Sequence, residues 1–119
     1  MKHLLLTTIV AVVLVGCVSL VQPPVISIHK AAKTGNIEAV KRHLATGIGV
    51  NAMDANKMTA LHWAAMKGQK EIVTFLIIRG ANLNAKTSKN LTPLNLADNN
   101  FQNEIAELLI ANGASEFIY

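Results

Sequence analysis

The stretch Thr59-Ala60-Leu61-His62-Trp63-Ala64-Ala65 leads through Gly68 to Glu71-Ile72-Val73 and Leu76-Ile77. It closes on Gly80-Ala81-Asn82-Leu83-Asn84-Ala85. Leu61, Ala64 and Ala65 stand at i, i+3 and i+4, the spacing of one helical face. Ile72, Phe75 and Leu76 give a broader apolar face to a second helix. Thr59 is placed to cap the first helix, and Gly80 follows the second, where a left-handed residue is wanted. The segment therefore reads as a helix-turn-helix unit whose small alanines let a neighbour approach closely.

The same unit recurs on both sides at one fixed period, the interval from Ile28 to Leu61. Ile28, Leu61 and Leu94 share one register, as do Ala31, Ala64 and Ala97, then Glu38, Glu71 and Glu104, then Gly47, Gly80 and Gly113. No insertion is needed between Ile28 and Ser115. The third copy contributes Thr92-Pro93-Leu94, with proline suited to the first helical position, and Ile105, Leu108 and Leu109 on its second helix. One such unit cannot bury its apolar face; stacked neighbours complete the core. The end copies are more polar: His43 stands where the middle copy has Leu76, and Asp98 where it has Ala65. Phe101 occupies the place of Gly35 and Gly68, and Asn99-Asn100 are expected to take the unusual dihedrals there instead. With fewer than three complete copies, marginal stability is expected.

This pattern resembles the ankyrin repeat, marked by T-P-L-H-x-A-A, a glycine, an E-I-V-x-x-L-L helix and a G-A-D-V-N-A turn. The resemblance covers about Ser27 to Ser115. It implies an all-α solenoid of about three helix-turn-helix repeats with short β-hairpin loops, divided as 28–53, 54–86 and 87–119, with the outer two as caps. It further implies a concave protein-binding face built from the hairpin tips and the first helices. Carried over by position, that face comprises Lys33, Met53, Asn56, Met58, Met66, Lys67, Lys86, Lys89 and Leu91, with Thr34, Ala55, Ser88, Asn99 and Asn100. Met58 and Met66 are adaptable apolar contacts, and Lys33, Lys67, Lys86 and Lys89 make one edge basic. His62 is implied to hydrogen-bond within the turn region and hold copies together.

The whole chain has 119 residues, 51% of them hydrophobic, 4% aromatic and 15% charged. That is one domain's length, and its aliphatic content excludes a disordered or collagen-like chain. A single cysteine excludes a disulfide framework and a cysteine-based zinc module. The net charge of +4 is too small for a nucleic-acid-binding arm.

The amino-terminal residues have the grammar of a secretory signal: Lys2 and His3, then an uncharged run from Leu4 to Val15. The only cysteine ends that run in Leu14-Val15-Gly16-Cys17, which resembles the bacterial lipobox. Residues 1–16 then form a signal peptide, and 17–27 a lipidated Cys17 with its linker. A plain signal anchor is the competing reading, because the uncharged stretch reaches Val21, just long enough to cross a bilayer. Val18 stands where lipoproteins kept in the inner membrane typically carry Asp, which favours the outer membrane and a periplasm-facing domain. The linker contains Pro23-Pro24 and spans at most about 35 Å, so the folded part sits close to the membrane.

No catalytic constellation emerges. His29 and Asn95 stand where His62 does, so the position follows the repeat rather than a site. Glu38, Glu71 and Glu104 also recur by repeat, as charges suited to helix N-termini. No cluster has metal-ligand spacing, no glycine-rich loop precedes a helix with a lysine, and no cofactor is expected. Every basic residue lies at or before Lys89, whereas Asp98, Glu104, Glu107 and Glu116 follow it, which favours an acidic partner or anionic headgroups at the basic end. The expected function is a non-catalytic, monomeric adaptor or inhibitor of an envelope or exported protein. The alternative is a structural or stress-protective envelope component with no single tight partner. Nucleic acid is not expected to meet an exported lipoprotein.

Overall fold

A computed structural model of the chain describes residues 26–115. Cys17, the linker before Ile26, and Glu116 lie outside the described residues. Within them, six helices follow in order: α1 (Ile28–Thr34), α2 (Ile37–Ala45), α3 (Ala60–Lys67), α4 (Lys70–Ile78), α5 (Pro93–Asn99) and α6 (Asn103–Ala111). The inner helices stack α1 on α3 on α5, and the outer helices α2 on α4 on α6 more loosely. The result is the all-helical repeat solenoid that the sequence period implies.

The tight inner stacking follows from side-chain size. Ala31, Ala32, Ala64, Ala65 and Ala97 are completely buried, and their small side chains let successive inner helices approach closely. Leu61 and Leu94 occupy matching buried places in successive layers, and Ile72, Leu76, Ile105 and Leu109 close the core from the outer helices. Fully burying a leucine or isoleucine contributes roughly 1.5–3 kcal/mol.

Local chemistry sets the helix ends. Thr59 and Thr92 cap α3 and α5 in reciprocal capping boxes with His62 and Asn95, and Ser27 caps α1 through Lys30 N–H. Glu38, Glu71 and Glu104 lie in the first turns of α2, α4 and α6. Gly47, Gly80 and Gly113 have the positive φ expected of them.

The turn between the helices of each pair behaves differently in the last copy. Gly35 and Gly68 are left-handed, and a Cβ added to them would lie 2.8 and 2.7 Å from the side-chain oxygens of Gln69 and Gln102, each in the next layer. Glycine takes this dihedral without strain and leaves the glutamine where it lies. Phe101 takes the same dihedral itself, with φ 60°, while Asn100 stays at φ −113°. The expectation that Asn99-Asn100 would take over is thus overturned. The turn's geometry is fixed by the bonds that Phe101 and Gln102 N–H donate to Asp98 and Ala97, and these demand the left-handed residue at 101.

The tips also differ in detail from laddered hairpins. No strand occurs among the described residues. Each tip is a tight turn closed by one bond across its base, Asp54 N–H to Met58 O and Thr87 N–H to Leu91 O, both 2.9 Å. Lys57 and Asn90, equivalent positions in successive copies, both turn left-handed. Adjacent tips are joined by Ser88 N–H to Asn56 O at 3.0 Å. In the segments that lead from the outer helices to the tips, Asn51 accepts from Asn82 N–H and Asn84 from Ser115 N–H, an asparagine step repeated at the same period.

Candidate protein-binding groove

The tips and the inner helices enclose a groove of about 250 Å³ between the second and third copies. Met58, Met66, Leu91 and Leu96 supply its apolar lining, and Asn56, Ser88 and Lys89 its polar and cationic rim. Six of the residues picked out in the sequence thus converge: Asn56, Met58, Met66, Ser88, Lys89 and Leu91. Lys33 lines a second concavity one layer away, with Trp63, Asp54 and His29. Its ammonium lies 5.0 Å from the Trp63 ring centroid, a cation–π contact that already engages both groups. Met53, Lys67 and Lys86 are exposed and line neither concavity.

The groove walls are held by residues that period and composition did not single out. Asp54 accepts from Asn56 N–H at 2.9 Å, Met58 N–H at 3.0 Å and Trp63 Nε1–H at 3.0 Å. Its desolvation, the largest influence, raises the carboxyl pKa; these bonds and the nearby His29 outweigh it and leave the pKa below the ordinary value. Thr87, at the same place in the next copy, does the same work with a hydroxyl, accepting from Lys89 and Leu91 N–H at 3.1 and 3.2 Å. The available signal was the pair itself: two turn-forming side chains, Asp and Thr, at the repeat interval.

Beneath the tips lies His62, buried with no exposed surface. Its Nδ1 accepts from Thr59 N–H at 3.0 Å, so Nε2 carries the proton and donates to Ala85 O at 2.9 Å and Leu91 O at 3.2 Å. Burial pushes its pKa below the ordinary imidazole value, against the raising effect of those two carbonyls. His29 makes the equivalent bond to Ala52 O at 2.9 Å. Asn95 keeps only the cap, accepting from Thr92 N–H at 3.0 Å. A buried imidazole with both nitrogens engaged ties a helix start to the next tip and is spoken for. Among the described residues no group of His, Cys, Asp or Glu could hold a metal ion.

Stacked helix pairs with tip-to-tip bonding define a repeat scaffold that presents a groove. Residues 28–117 match the family described as "Ankyrin repeats (3 copies)", and the chain belongs to that family. It is similar to the human ASB11 ankyrin repeat domain, with a TM-score of 0.73 and 29% identity over 79% of this chain. The match spans 42% of that solved chain's length. No curated protein matches the sequence. Ankyrin repeats are protein-interaction modules, typically without catalytic activity.

Proposed function

We propose that the chain is a non-catalytic protein-binding module, tethered to a bacterial membrane through Cys17, that acts as adaptor or inhibitor of an envelope or exported protein. The observation that carries the binding role is the groove between the second and third copies. Two methionines and two leucines offer an adaptable apolar floor, and Lys89 at its rim favours a partner segment that pairs an apolar side chain with a carboxylate. Lys67 and Lys86 add to the field on that side without lining the groove. The tether rests on the Leu14-Val15-Gly16-Cys17 sequence, and the outer membrane is favoured by Val18.

The test is capture of a partner from envelope extract by the full chain and by a variant with Lys67, Lys86 and Lys89 reversed to Glu. One stoichiometric partner, lost on reversal and at high salt, is expected. Absence of any stoichiometric partner would favour a structural envelope role instead. Mass spectrometry of the mature amino terminus tests the tether separately; a Cys17 without acyl mass removes it.

A further inference from the structure

The outer helices carry a third concavity, larger than the groove and on the opposite side of the layers. It measures about 570 Å³ and lies between α2 and α4, with Ile37, Thr74, Phe75 and Ile78 among its lining residues. Ile78 is 74% exposed, a large aliphatic side chain left in water. Two cations flank the half-buried Phe75 ring, the Lys41 ammonium and the Arg79 guanidinium, each 5.6 Å from its centroid. Neither is in an ion pair among the described residues, whereas Lys70 at the same rim is neutralised by Glu104 at 3.1 Å. Arg42 adds a further cation on α2, against Glu38 and Glu71 in the first turns. On α6 the charges are Glu104 and Glu107, so the cationic part of the outer face is confined to the first two layers.

We infer that this face rests on an anionic bilayer surface. Exposed aliphatic and aromatic groups ringed by long cationic side chains are what a headgroup interface accepts. The apolar groups enter the boundary region, and the ammonium and guanidinium groups reach lipid phosphates. The charge complementarity is local: Glu71 is the one carboxylate that lines the concavity, and Lys41, Arg42 and Arg79 outnumber it and Glu38 on these two layers. The face is separate from the tip groove, so a bilayer there leaves the partner groove open. The inference rests on the membrane tether only for proximity to a bilayer.

The test uses the full chain carrying Cys17→Ala and Thr74→Cys, labelled at position 74 with an environment-sensitive fluorophore. A matched chain carries the label at Asn56→Cys in the tip groove. Vesicles rich in phosphatidylglycerol are expected to blue-shift the label at 74 and leave that at 56 unchanged. Phosphatidylcholine vesicles are expected to move neither. Adding Lys41→Glu and Arg79→Glu should weaken the response at 74 by about tenfold or more. No shift at 74, an equal shift with both lipids, or an equal shift at 56 would overturn the inference. So would binding of an acidic peptide, polyglutamate, at 74 with no response to vesicles, which would make the face a protein site. Because vesicles are supplied directly, an unlipidated Cys17 would defeat the tether and leave this result standing.

Discussion

The Nε2–H of His62 donates to the carbonyl of Ala85 at 2.9 Å, and His29 makes the same bond to Ala52 one layer earlier. Each bond fastens the first helix of one copy to the tip that opens the next. Removing the ring of His62 leaves the Thr59 amide and the Ala85 carbonyl to find new partners in a buried place, while the Leu91 carbonyl keeps Thr87 N–H. His62→Ala is expected to cost about 2–4 kcal/mol. His62→Asn can restore the bond to Thr59, as Asn95 does for Thr92, but not the reach to Ala85, and should recover part of that loss. Urea unfolding of the three chains checks the order.

The same histidine sets a pH dependence. Its folded pKa lies below the ordinary 6.5, with burial as the largest cause. Below that value the unfolded chain binds a proton that the folded chain refuses. The contribution is therefore complete above about pH 6.5 and is lost as pH falls towards the folded pKa. Stability should decline on acidification in this window, and His62→Asn should flatten the profile. A profile that is the same in both chains would assign the effect elsewhere.

Asp54 organises the second tip, and Asp54→Ala should loosen it without unfolding the stack. Loss of three hydrogen bonds to a carboxylate at a half-buried site should cost about 1–3 kcal/mol. Faster amide exchange at Asn56 and Met58 is expected, with a red shift of Trp63 fluorescence as Nε1 loses its acceptor. Because the groove wall moves, partner capture should weaken more than stability does.

Gly68 and Phe101 make opposite predictions at equivalent positions. Gly68→Ala places a Cβ at a φ of +78° and 2.7 Å from Gln102 Oε1. It should destabilise by about 1–2 kcal/mol. Adding Gln102→Ala should relieve the contact but not the dihedral strain. Phe101→Gly removes a ring that is 85% exposed and relaxes a φ of 60°, and should stabilise by about 1 kcal/mol. Thermal melts of the four chains read both effects.

The fold was legible because its determinants repeat. Leu61, Ala64, Thr59 and Gly80 each have a counterpart one repeat away, and a period is visible without any knowledge of contacts. The lining of the groove was partly legible for the same reason. Asn56, Met58, Met66, Ser88, Lys89 and Leu91 meet in one groove, since position within a repeat fixes position on the solenoid. Thr87 and Leu96 escaped because one is a turn residue and the other replaces Trp63 as a smaller apolar wall, so neither repeats by type. Phe101 was misjudged because the expectation weighed residue preference alone. The backbone bonds of that turn require a left-handed residue at one place whatever its side chain. The outer concavity depends on Lys41 of the first copy reaching Phe75 of the second, a coincidence across layers that no single unit displays.

The glutamine that lies against Gly35 and Gly68 has a consequence for how this array can lengthen. Gln69 and Gln102 each fill the space above a glycine of the preceding layer, and Phe101 already has a Cβ in that position. A further unit stacked on the third copy would bring its own glutamine against that Cβ, and the flexible side chain would have to turn aside, whereas a unit stacked on the first or second copy would meet glycine. Lengthening the stack beyond Phe101 therefore costs a glutamine rotamer, a cost absent wherever the preceding layer carries glycine.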